Sequence, residues 1–236
     1  MKKIIVVFVI VAVAFSSCKV VEPVKKSIAY KGMYDQKPLA ILIMPPINKS
    51  NNVDAKEYFH STLSVPVCNA GYYTIPPFIS MEILKKESAY DAEMFINNPV
   101  NKFGEIFGAD VALFTIIHKW DKSALAAVVM IEIEYIFKST STGEILYQRK
   151  GLVNYDTSVQ VQGGGLAGAL IGMAASAINT AATKYVDVAR ACNAYTLIDI
   201  PAGKYNNSKH GLDGEEMAGQ KDFTIRLSKG YTNAYY

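Results

Sequence analysis

Residues Ile4 to Phe15 form an unbroken apolar run of twelve, preceded by Lys2-Lys3 and followed by Ser16-Ser17-Cys18. At about 1.5 Å of rise per residue, a helix of that length falls well short of the roughly 30 Å of a bilayer's hydrocarbon core. A basic start, a short apolar centre and small residues at the end are the plan of a secretory signal peptide. Residues 1–17 are therefore expected to be removed, and the fold to be built from residue 18 onward.

The junction itself, Phe15-Ser16-Ser17-Cys18, resembles the lipobox of bacterial lipoproteins, with phenylalanine where leucine is usual. The resemblance implies that Cys18 becomes the first mature residue and carries acyl chains. Each buried methylene contributes about 0.8 kcal/mol, so more than one chain makes attachment permanent. The competing reading is an ordinary signal peptide with an incidental cysteine. Residues 18–37, with Pro23, several lysines and little periodicity, read as the lipidated N-terminus and a tether.

The chain carries 24 basic and 21 acidic residues, and loss of Lys2 and Lys3 leaves the remainder close to neutral. That balance gives no electrostatic footprint for nucleic acid. Cys68 and Cys192 remain after lipidation. An oxidising compartment permits them to pair, while their apolar contexts suit two small buried residues. The sequence leaves both open.

From residue 38 to about residue 200 the pattern is one mixed α/β domain, a sheet flanked by helices. Leu39 to Met44 is a short, wholly apolar strand closed by Pro45-Pro46. Asp54 can cap a helix through Tyr58, Leu63 and Val67, bent or broken at Pro66 and stopped at Gly71. Tyr72 to Ile75 is a second strand, closed by Pro76-Pro77, and Ser80 is placed to open the next helix. Phe103, Ile106 and Phe107 make one helical stripe ended by Gly108, and Val111 to Trp120 comes next as a strand.

Val129 to Lys138 then alternates apolar and charged residues, predicting a half-buried antiparallel strand. Ser139 to Gly143 is its turn, Glu144 to Arg149 the return strand of a hairpin, and Leu152 to Val161 a further strand. Beyond Gly163-Gly164-Gly165 the spacing predicts one long glycine- and alanine-rich helix, Leu166 to about Leu197. Gly164, Gly168, Gly172 and Ser176 recur every four residues and fall on one helical line, where another backbone could approach closely. A core helix, a self-association surface between copies and a bilayer span are the three readings of this segment. Residues 201–236 read as an extended tail, with Phe223 to Leu227 either added to a sheet edge or unused.

The stretch Leu39 to Ser50, ending Pro45-Pro46-Ile47-Asn48-Lys49-Ser50, together with Phe107-Gly108-Ala109-Asp110-Val111-Ala112-Leu113, resembles the domain shared by the TolB amino-terminal region and the curli-assembly CsgG-type lipoproteins. Asn69 to Pro76, Glu105 to Asp110 and the glycine-rich helix are similar to a family of bacterial lipoproteins of unassigned function, over roughly residues 15 to 200. The resemblance implies a fold and an envelope location, and brings no catalytic residues. Gly71 and Gly108 fit helix ends needing positive φ, and Asp110 can bond its own turn.

No chemistry is spelled out elsewhere. His60, His118 and His210 are the chain's 3 histidines and lie at no metal-ligand spacing; a nucleophile elbow and a phosphate loop are both missing. Gly163-Gly164-Gly165 before a helix could cradle an anion but has no lysine at the right offset. Glu132 and Glu134 share a strand face, which is normally a wet face and not an acid/base pair. No cofactor and no metal are expected. The expectation is a non-catalytic lipoprotein on the periplasmic face of the outer membrane, acting by contacts with itself or other envelope lipoproteins in assembly or secretion. The rivals are a channel-forming oligomer of the curli-secretion type, and an envelope ligand-binding protein or hydrolase.

Overall fold

The computed structural model describes residues 22–160, 165–228 and 231; Cys18, the signal segment and Gly164 lie outside the described residues. The element order starts with two short helices, α1 (Lys26–Ala29) and α2 (Lys31–Gln36), then β1 (Ala40–Ile43), β2 (Ile47–Asn48), α3 (Ala55–Thr62), α4 (Ser64–Asn69) and β3 (Tyr73–Thr74). Next come α5 (Pro77–Lys86), α6 (Glu93–Ile96), α7 (Asn101–Phe107), and three long strands, β4 (Val111–Ser123), β5 (Val128–Ser139) and β6 (Ile145–Asp156). The helices α8 (Gly165–Ala182) and α9 (Tyr185–Leu197), a 3-10 turn at Asp213–Glu215 and β7 (Asp222–Ser228) complete the chain.

The seven strands make one mixed sheet in the order β3-β1-β4-β5-β6-β7, with β2 also paired to β4. β1 runs parallel to β3 and β4; β4, β5 and β6 form an antiparallel meander; β7 returns parallel to β6. Helices cover both faces, as the alternation of short strands and helices predicts. One face carries the larger core, in which Tyr30, Met33, Phe59, Trp120, Ile133, Tyr135, Tyr147 and Cys192 pack together. The other face is covered only toward one end, by Leu84, Val100 and Phe103 against Leu42, Phe114 and Ile136.

β5 shows why: its odd residues Ile131, Ile133, Tyr135 and Phe137 are fully buried in the larger core, while Glu132 and Glu134 on the other face are half-buried. Asp110 departs from expectation. Its carboxylate accepts from the backbone N–H groups of Leu39 and Ala40, at 2.8 and 2.9 Å, and so pins the start of β1 instead of closing its own turn. Gly108, at φ 64°, ends α7 as expected.

Five expectations are corrected. The tether region is helical from Lys26 and folds into the domain, because Tyr30 and Met33 insert in the core; helices of 4 and 6 residues are too short to show a period. The rest of the tail is not extended but folded onto the domain, with Tyr72 donating to the Pro201 carbonyl at 2.6 Å, while β7 adds to the sheet edge over seven paired residues, one of the two outcomes expected of Phe223 to Leu227. The helix after β3 starts at Pro77, whose missing N–H costs nothing at a first turn, and Ser80 lies inside it. The return strand of the hairpin is continuous from Ile145 through Leu152 to Asp156. Finally, the long helix breaks at Lys184, which is extended at ψ 123°; Thr180 and Thr183 hydroxyls bond carbonyls four residues back, a pattern that loosens a helix end.

Candidate functional site

α8 is the least embedded long element. Its Ser176 and Thr180 are buried against the segment that follows β6: Val159 N–H donates to Ser176 Oγ at 2.9 Å, Asn179 Nδ2 donates to the Thr157 carbonyl at 2.7 Å, and the Thr157 and Thr180 hydroxyls bond at 2.5 Å. Lys122 Nζ donates to the Ala181 carbonyl at 3.2 Å, placing a cation at the negative end of the helix dipole. The small-residue line is therefore occupied by the chain itself from Ser176 onward, while Gly168 and Gly172 are half-exposed.

On the opposite side, Leu170, Ile171 and Ile178 are each more than half exposed. Residues 170, 171 and 178 fall within about 100° of arc on a helix, so they form one apolar stripe facing out. Among the described residues, no helix is long and apolar enough to cross a membrane.

The polar cluster singled out from the sequence sits on the open half of the second sheet face. Glu134 accepts from Gln148 Nε2 at 2.6 Å and meets His118 Nε2 at 2.9 Å; Glu132 pairs with Lys150 at 2.7 Å. Burial pushes the Glu134 pKa up, but the His118 and Gln148 bonds outweigh it, so the carboxyl titrates below its ordinary value. The Lys150 bond does the same for Glu132. A general acid needs the reverse shift, so this pair is built to stay ionised and bonded. Among the described residues there is no cluster of three or more His, Cys, Asp or Glu side chains able to hold a metal.

His60 is buried, its Nε2 has no hydrogen-bond partner among the described residues, and burial lowers its pKa. His210 Nδ1 lies 3.0 Å from the Ala202 carbonyl at the surface. Cys68 is exposed and Cys192 buried, and both thiols are free. A feature that sequence reasoning missed is a cavity of about 240 Å³ between α1, α4, α9 and the tail, with Leu197, Ile198 and Ile200 as apolar wall and Lys26, Lys209 and Asp213 as its charged lining. Its walls come from three widely separated stretches of the chain, around Lys26, Pro66 to Ala70 and Ala194 to Asp213, so no local motif marks it.

The family model described as "Putative lipoprotein GNA1162-like" matches residues 28–205, from α1 through α9 and into the tail. The chain belongs to this family of GNA1162-like lipoproteins. A curated relative, "Putative lipoprotein NMB1124/NMB1162" of Neisseria meningitidis serogroup B, is 27% identical over 110 residues, which are 47% of this chain. The chain spans about half (50%) the length of that relative. Among solved structures, lipoprotein GNA1162 from Neisseria meningitidis is similar over 62% of this chain and 100% of its own, at 21% identity and a TM-score of 0.46. The PelC dodecamer from Paraburkholderia phytofirmans covers 69% of this chain and 86% of its own, at 12% identity and a TM-score of 0.39. Likenesses of this degree carry neither activity nor assembly state across. Family membership rests on the matched residues alone, and β7 lies beyond them.

Proposed function

We propose that the protein is a non-catalytic lipoprotein, held on the periplasmic face of the outer membrane by acyl chains on Cys18, that works by gripping other envelope proteins in assembly or secretion. The observation that carries the reading is membership of a lipoprotein family in a chain whose Cys18 directly follows a short apolar run and two serines. The exposed stripe of Leu170, Ile171 and Ile178 on α8 is the contact surface of this reading, because large apolar groups gathered on one side mark a binding face more than scattered ones do. Contact between copies along Gly164, Gly168 and Gly172 belongs to the same reading; Ser176 is already engaged at Val159. The resemblance of residues 39–50 to TolB- and CsgG-type domains supports the assembly or secretion context.

Two measurements test it. Cys18→Ser is expected to abolish labelling by an alkynyl fatty acid and to move the protein from the membrane to the soluble fraction; retention in the membrane overturns lipid anchoring. A photo-crosslinking residue at position 171 or 178 is expected to give adducts heavier than one chain in living cells, and their absence overturns the contact surface. A second reading, carriage of a small ligand, is favoured by the partly apolar cavity at Lys26, Leu197 and Asp213. A thermal-shift screen of the full chain against peptides and glycans decides it.

A further inference from the structure

β7 is the last strand of the sheet, and among the described residues nothing hydrogen-bonds its outer side. The Lys221 carbonyl accepts from Lys150 N–H at 2.8 Å, so that carbonyl points inward. Backbone groups alternate sides along a strand. The N–H and C=O groups of Asp222, Thr224, Arg226 and Ser228 therefore point out of the sheet, as a free pairing rim.

Free rims are normally blunted by proline, a bulge or repelling charges. β7 has none of these: it contains no proline, and its register with β6 runs unbroken from Asp222 to Ser228. Its two charges are of opposite sign and sit symmetrically about Thr224. Asp222, Thr224 and Arg226 are all exposed.

We propose that two copies of this chain join β7 to β7 antiparallel, about a two-fold axis through Thr224, making one sheet continuous across both. This register sets Asp222 of each copy opposite Arg226 of the other, twice, and Thr224 opposite Thr224. The three outward-facing residues meet as hydrogen-bonded pairs, about six backbone bonds in all. Phe223 and Ile225 of the two copies meet on the side of the larger core. An axis two residues either way places Asp222 against Asp222 or Arg226 against Arg226, and directly opposed like charges destabilise a pair. An axis one residue either way opposes no charges at all. Arg226 also bonds Asp156 through Nε at 2.9 Å within its own chain, but its side chain is 65% exposed, leaving the terminal nitrogens for the other copy.

The experiment uses the full-length chain in its native membrane, with Thr224→Cys as the reporter. Opposed residues in a hydrogen-bonded antiparallel pair have Cα atoms about 5.5 Å apart, within disulfide reach. Mild oxidation is expected to give a linked dimer that the parent chain, with Cys68 exposed, does not give. Asp222→Arg and Arg226→Asp, each added to the reporter, are expected to reduce linkage at least tenfold when expressed alone. Co-expressed with different tags, they are expected to link to each other, because every opposed pair is then of unlike charge. Undiminished linkage in either reversed chain overturns the proposal, as does a reporter that does not link while β7 stays protected from proteolysis. Should Arg226→Asp unseat β7 by releasing Asp156, Asp222→Arg, which breaks no side-chain hydrogen bond or ion pair among the described residues, decides by itself. None of these readouts depends on acylation, so they are separate from the Cys18→Ser result.

Discussion

Phe223 on β7 lies over Gly151 on β6 so closely that a Cβ at position 151 would meet the ring Cζ at 2.0 Å. The same ring receives the Arg149 guanidinium at 4.5 Å, so the edge strand is seated by one aromatic clamp on a bare stretch of backbone. Gly151→Val is therefore expected to expel the ring and detach β7 while leaving the meander of β4 to β6 folded. Hydrogen exchange followed by mass spectrometry should show protection lost across residues 222–228 and kept across β5. Uniform loss would mean that β7 and the core are one cooperative unit.

Gly71 is held at φ 94°, and a Cβ there would meet Asn206 N at 2.4 Å and the Gly203 carbonyl oxygen at 2.8 Å. Both the dihedral and the neighbouring backbone resist a side chain, so Gly71→Ala is expected to cost about 3 kcal/mol. For a chain of this size that lowers Tm by roughly 6–12 °C. Gly108, at φ 64° with nothing near its absent Cβ, should tolerate alanine better, and the difference between the two melting curves isolates the close approach of the tail.

The two described thiols differ sharply. Cys68 is exposed, whereas Cys192 is fully enclosed and burial pushes its pKa well up. A maleimide should modify Cys68 in the folded protein and reach Cys192 only in denaturant. Complete resistance of Cys68 under non-reducing conditions would instead indicate a disulfide.

Acid should unfold the protein in two stages. His60 is buried with its pKa below the ordinary value, so between the folded and unfolded values the unfolded chain binds the extra proton. Its contribution is whole above the ordinary value of about 6.5 and is lost as pH falls through the folded one. Glu132, Glu134, Asp156 and Glu216 also titrate low, held by Lys150, by His118 and Gln148, by Ser158 and Arg226, and by Lys26 respectively. Their contribution persists above the ordinary carboxylate range and fades as pH drops through their lowered values. His60→Gln should flatten the first stage of a Tm-against-pH curve and leave the second; an unchanged first stage would sink the assignment.

Much of the sheet was legible because its signals are local. Pro45-Pro46 and Pro76-Pro77 mark the ends of β1 and β3, and the alternation from Val129 to Lys138 gives β5 its faces. The features that escaped were made by distant partners. Tyr30 and Met33 look like part of a polar leader until β6 is placed over them, and Asp110 acts on Leu39 and Ala40, far earlier in the chain. For the candidate surfaces, the glycine- and alanine-rich run marked a helix, but not that it would end at Ala182 or that Ser176 and Thr180 would be spent on Val159 and Thr157. The apolar stripe on the other side of α8 was present as Leu170, Ile171 and Ile178, hidden by glycine and alanine all around it.

Near the start of the fold, Lys25 bridges to Met217, Lys26 N–H donates to the Glu216 carbonyl at 2.8 Å, and Ala218 N–H to the Val24 carbonyl at 2.7 Å. The stretch from Cys18 to Lys25 reaches at most roughly 25 Å even when fully drawn out. Were Cys18 to carry the acyl chains proposed above, that stitched corner would lie within roughly 25 Å of the lipid surface. A partner of the proposed kind would then have to approach that surface to be held.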